Sequence, residues 1–113
     1  MDLSELRNKI DQIDIELVKL FVARMDIAAQ VADYKQKNNL PIYVPERERA
    51  ILQNVAEQAG PEMDDYAQVL YSMLFELSRS YQRKRNAQQT DLYKELETTP
   101  KSRFDANKDS EVV

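Results

Sequence analysis

The stretch Leu17–Lys35, LVKLFVARMDIAAQVADYK, decides how the rest of the chain is read. Leu17, Leu20, Ile27, Val31 and Tyr34 recur at the three-four spacing of one helical face. The seam position between Leu20 and Ile27 is Arg24, and Lys35 closes the stretch in nearly the same direction. Traced backwards, the steps continue through Ile13, Ile10, Leu6 and Leu3, so the spacing predicts one helix from about Leu3 to about Lys37. Ser4 or Asp2 is its candidate N-cap. Such a helix spans roughly 50 Å, more than a small monomer can bury by itself.

Beyond it, NNLPIYVP (Asn38–Pro45) stops the helix with two prolines and paired asparagines. ERERAILQNVAEQA then reads as a short helix with Ile51, Leu52, Val55 and Ala59 on one face, ended by Gly60-Pro61. A third helix is expected from about Met63 to at least Arg83, with a main stripe of Tyr66, Val69, Leu70, Met73, Leu74, Leu77 and Tyr81. The fold class is all-α, three helices with a very long first one. After about residue 86 the periodicity fades, and residues 87–113 read as a helix extension followed by a flexible tail or linker.

Composition narrows the chemistry. A chain of 113 residues suits one small domain, and its single glycine leaves little turn chemistry for a strand-rich fold. A net charge of −4 argues against a general nucleic-acid binder, so cations gathered on one face mean a local anion site. No apolar run reaches the roughly 20 residues of a membrane span, and no signal segment is evident, which points to the cytoplasm. Cysteine and histidine are both absent. That removes disulfides, thiolate chemistry, Ser-His-Asp triads and histidine metal ligands. An enzyme built from this inventory works with carboxylates, or by positioning and electrostatics.

Three helices each place polar groups on an apolar face. Arg24 and Lys35 stand eleven positions apart on the first, about 16 Å along its axis, close enough for two long side chains to grip one small anion. Cations at such places ordinarily snorkel to solvent. Glu48 lies in the middle of the second helix's apolar face with Arg47 beside it, although an ERER run is ordinarily an exposed helix start. A second seam on the third helix runs Tyr71, Phe75, Ser78 and Gln82, where polar residues commonly mark emergence into solvent. Together these groups describe an enclosed pocket with cations for carboxylates, one carboxylate for a hydroxyl, and neutral donors for another oxygen.

The segments LRNKID (Leu6–Asp11), ARMDIA (Ala23–Ala28), VADYK (Val31–Lys35), ERE (Glu46–Glu48) and LFELSRSYQ (Leu74–Gln82) resemble the all-helical chorismate mutases of the AroQ class. The match runs from about Asp2 to Arg83, and residues 1–86 are expected to form the mutase domain. The resemblance implies an interlaced homodimer that converts chorismate, a dianion, to prephenate without cofactor or metal. It assigns Arg7 to one substrate carboxylate in the partner subunit's site and Arg24 to the other. Lys35 would contact a carboxylate and the ether oxygen, and Gln82 would donate to the ether oxygen. Arg47 would organise the carboxylate side, Glu48 would accept from the ring hydroxyl, and Ser78 would lie along the substrate. Many relatives carry an acid facing that hydroxyl where this chain has Val44, so recognition rests more heavily on Glu48.

Spacing supports the crossed arrangement. Arg7 and Lys35 lie about 42 Å apart on a continuous helix and cannot serve one small ligand from the same chain. Two other readings stand beside the mutase: an isochorismate-pyruvate lyase of the same fold, and a non-catalytic helical module for dimerisation or ligand sensing. Chorismate mutases of this class are often joined to prephenate dehydratase, and a polar ending suits one domain of such a bifunctional protein.

Overall fold

A computed structural model describes residues 1–97 of the chain. It contains three helices: α1 (Leu3–Lys37), α2 (Pro45–Ala59) and α3 (Asp64–Glu97). No strand occurs among the described residues. The proposed boundary at residue 86 falls inside α3, which continues without interruption to Glu97. The tail expected beyond it lies outside the described residues.

Local chemistry sets the helix ends. The Asp2 side chain accepts from the Glu5 amide at 2.8 Å, making Asp2 rather than Ser4 the N-cap of α1. At the other end, Asn39 takes a left-handed conformation (φ 55°), which asparagine tolerates better than most residues. Leu40 N–H then donates to the Lys35 carbonyl at 2.8 Å and Asn39 N–H to that of Gln36, closing the last turn in a Schellman arrangement. Pro45 begins α2, where its missing N–H has no helical partner to lose. Gly60 (φ 85°) ends α2 in a conformation that side chains resist, and its carbonyl accepts the amides of Met63 and Asp64 as α3 starts.

The described residues span 63 × 36 × 15 Å. Their thinnest dimension is little more than one helix diameter. The helices therefore lie nearly in one layer, with α3 packing on both α1 and α2. A single layer cannot enclose a core, and the burial pattern shows it. Among the residues whose burial is described, the buried apolar ones are Ala28, Ala29, Ala32 and Phe75, with Ala32 at 0% exposure. Three alanines within two turns let the backbones of α1 and α3 approach closely.

On α3 this differs from the expected core, whereas the length of α1 already implied a seam that one chain leaves exposed. The α1 stripe of Leu3, Leu6, Ile10, Ile13, Leu17 and Leu20 is exposed, as are Tyr66, Val69, Leu70, Met73 and Leu77 on α3. The face of α3 that is buried is the second seam, through Phe75, Ser78 and Gln82. A helical wheel ranks faces by apolar content, whereas packing within this chain selected the face that the alanines could approach. Two stripes of large side chains are left uncovered, far beyond the scattered apolar exposure of an ordinary soluble monomer.

Candidate active site

Where the three helices converge, a cavity of about 470 Å³ opens, in the size range of small-molecule sites. Helix α1 contributes Arg24 and Lys35, and α2 contributes Arg47 and Glu48 with Val44 at its N-cap. Helix α3 contributes Ser78, Arg79 and Gln82. Ile27, Val31, Ile51 and Phe75 supply apolar wall. Seven of the eight residues singled out in the sequence thus border one space. Arg7 does not: it is exposed near the start of α1, about 25 Å along the axis from Arg24.

Most of the polar wall residues are held by a particular contact. The Arg24 guanidinium lies 5.8 Å from the Tyr71 ring centroid and 5.9 Å from that of Phe75. Those two rings meet edge to face, so the cation rests on an aromatic corner rather than on a carboxylate, and its donors remain free for an anion. Lys35 is fixed at both ends. Its carbonyl closes α1, and its Nζ donates to the Ile42 carbonyl at 2.9 Å, so the connection between α1 and α2 wraps around it. Its stem lines the cavity instead of snorkelling outward.

The ERER run divides by face. Glu46 and Arg49 form an exposed pair at 3.8 Å, the ordinary behaviour of a charged helix start. Glu48 turns inward, where Arg79 Nη1 donates to Oε1 at 2.6 Å and also contacts Oε2. The hydrogen bonds to Glu48 raise the already high pKa of the Arg79 guanidinium, against the opposing effect of its partial burial. Arg79 also lies over the Tyr43 ring at 5.0 Å. This arginine was not singled out from the sequence, yet a signal existed. It stands four residues after Phe75 and three before Gln82, at the spacing that shares their face.

Ser78 and Gln82 are buried, at 8% and 6% exposure, and Gln82 Nε2 donates to Ser78 Oγ at 3.0 Å. The Gln82 amide oxygen is buried with no hydrogen-bond partner. Burying an unpaired polar atom costs about 1–3 kcal/mol, so one at a cavity wall points to a ligand rather than to a satisfied core. The two polar residues late in α3 therefore do not mark its emergence into solvent.

Below the cavity, Arg85 on α3 pairs with both carboxylate oxygens of Asp33 on α1 at 3.0 Å, and Gln89 adds a third bond at 2.6 Å. The Arg85 hydrogen bonds, helped by Gln89, hold the Asp33 carboxyl below its ordinary pKa against a desolvation effect that would raise it. This clamp joins the helix that carries Lys35 to the helix that carries Gln82.

The sequence matches the family described as chorismate mutase type II over residues 6–83, well over half of the chain. The chain belongs to that family. A T-protein of Haemophilus influenzae is 45% identical over 71 residues, covering 60% of this chain and 19% of that protein. A bifunctional chorismate mutase/prephenate dehydratase of Aquifex aeolicus is 46% identical over 54 residues, 48% of this chain and 15% of the relative. A chorismate mutase of Methanocaldococcus jannaschii is 42% identical over 53 residues, 47% of this chain and 54% of that protein. The similarity thus spans less than a fifth of the first two relatives and about half of the third. No solved structure matches. The family segment contains every cavity residue named above, from Arg24 to Gln82.

Proposed function

We propose that the chain is a chorismate mutase of aromatic amino acid biosynthesis, acting on chorismate in the cavity between α1, α2 and α3. One observation carries the reading. Within a chain of this family, the cavity joins Arg24 and Lys35 to a buried Ser78–Gln82 pair whose amide oxygen lacks a partner. That is a site for a small polyanion with a further oxygen to recognise.

The reaction asks little of a catalyst's proton inventory. The ether C–O bond breaks as a C–C bond forms within one molecule, with no obligatory nucleophile or proton transfer. The substrate has to be held compact, and negative charge growing on the ether oxygen has to be met by donors. Arg24 takes one carboxylate through its planar guanidinium. Lys35 and Gln82 face the breaking bond, each stronger toward the transition state than toward the ground state. A half-turn of the Gln82 amide lets Ser78 Oγ–H donate to Oε1 and frees the NH2 for the ether oxygen. Glu48 accepts from the ring hydroxyl.

The second carboxylate is met by Arg7 of another copy. In support, Arg7 lies outside the cavity of its own chain, and residues 1–23 are exposed throughout. The uncovered stripes of α1 and α3 give a second copy an apolar surface to bury, in an interlaced homodimer.

The test is conversion of chorismate to prephenate by the purified chain, followed by loss of chorismate absorbance. Turnover well above the uncatalysed rate is expected. A folded protein without turnover would refute the reading, and faster release of pyruvate from isochorismate would replace it with the lyase.

A further inference from the structure

The charge balance of the cavity has an unusual element. Arg24, Lys35, Arg47 and Arg79 line it, while Glu48 is the one carboxylate among its described walls. At the N-cap of α2, the Val44 side chain offers no polar atom to this carboxylate or to a substrate hydroxyl, and α2 has no side-chain cap bond there. Glu48 is instead held from α3. Arg79 reaches across to both of its oxygens, and the two side chains are only 20% and 22% exposed. Arg79 is itself fixed by the Tyr43 ring in the connection between α1 and α2. Two further side chains thus set the direction of a single carboxylate.

We propose that Arg79 is a positioning residue for hydroxyl recognition: it aims the Glu48 carboxylate at the substrate's ring hydroxyl, a task that Val44 cannot share. This inference rests on the chorismate reading above. A carboxylate offers about four acceptor directions, so Arg79 leaves lone pairs on Glu48 for a hydroxyl donor. By bridging both oxygens from one nitrogen, Nη1, Arg79 also restricts rotation of the carboxylate.

The experiment compares chorismate with an analogue that lacks only the ring hydroxyl. Chorismate is measured by its KM and the analogue by its inhibition constant. In Arg79→Ala, chorismate binding is expected to weaken about tenfold or more, while the analogue's inhibition constant moves less than about threefold. Glu48→Gln should produce the same loss of discrimination, and the double variant should be no worse than Glu48→Gln alone, because the two act through one contact. Arg79→Lys should restore part of the discrimination. Should Arg79→Ala fail to fold, Arg79→Lys carries the test, with discrimination expected between wild type and Glu48→Gln. Equal weakening of both ligands, or additive losses in the double variant, would overturn the role of Arg79. Absence of wild-type turnover would overturn the functional reading itself and is seen separately, before any variant is made.

Discussion

Mixing two inactive variants is the most direct probe of the crossed site. Arg7 and Arg24 are seventeen positions apart on one uninterrupted helix, about 25 Å along its axis, so a ligand of chorismate's size cannot touch both from one chain. Arg24→Ala removes a charge-assisted contact and leaves the Tyr71–Phe75 corner without its cation. Loss of such a donor costs on the order of 2–4 kcal/mol of transition-state binding, or roughly thirty- to a thousandfold in rate. Arg7→Ala should do the same from the other subunit. When the two proteins are unfolded together and refolded, random pairing makes about half of the dimers mixed. Each mixed dimer holds one site with both arginines intact and one with neither. About a quarter of all sites should therefore work, against a few per cent or less for either parent. Chorismate turnover before and after mixing reads the recovery, and differently tagged chains verify the mixed dimers. Mixed dimers no more active than their parents would refute the crossed assignment.

Other outcomes follow from single contacts. Wild-type turnover should vary little between mildly acidic and mildly alkaline pH, because the Gln82 amide donates regardless of pH. Gln82→Glu should be active mainly on the acidic side, since only the protonated acid donates, and a rate that falls as pH rises through the carboxyl's titration checks this. Asp33 has a folded-state pKa depressed below its ordinary value of 3.8, so its stabilising effect is present above that value and lost as pH falls through the folded one. At roughly 40% exposure the pair with Arg85 should contribute about 0.2–1 kcal/mol, seen as a smaller acid-induced drop in the urea midpoint of Asp33→Asn at fixed protein concentration. Ala32→Leu adds volume where α1 has no exposed surface and should destabilise by about 1–3 kcal/mol, measured by urea unfolding. If the strain is relieved by parting α1 from α3, kcat should fall as well, because Lys35 and Gln82 would separate.

Much of the helix architecture was legible because its signals are local. The three-four steps from Leu3 to Tyr34, the Asn38–Pro45 breaker and Gly60-Pro61 bracket helices observed at Leu3–Lys37 and Pro45–Ala59. The polar interruptions on apolar faces were legible for a similar reason. A long cation or a carboxylate in the middle of an apolar stripe is expensive unless something meets it, so Arg24, Lys35 and Glu48 stand out from spacing alone. The same logic could have found Arg79, which shares a face with Phe75 and Gln82, but a charged residue beside a polar pair does not break a pattern and draws no attention.

What the sequence determined by itself was the set of helical segments and the inventory of groups able to bind an anion. Both follow from backbone preference and side-chain chemistry within a few turns. Only the tertiary structure decided which face of each helix is used inside the chain. Ala28, Ala29 and Ala32 carry little apolar weight on a wheel, yet their small size lets α3 come close, and this turns the second seam of α3 toward α1. The large stripes that dominate the wheel were left outside because a layer 15 Å thick has no interior to hold them. The partners of the charges were likewise decided in three dimensions. Glu48 meets Arg79, Asp33 meets Arg85 and Lys35 meets the Ile42 carbonyl across turns and helices, at distances that no periodicity encodes.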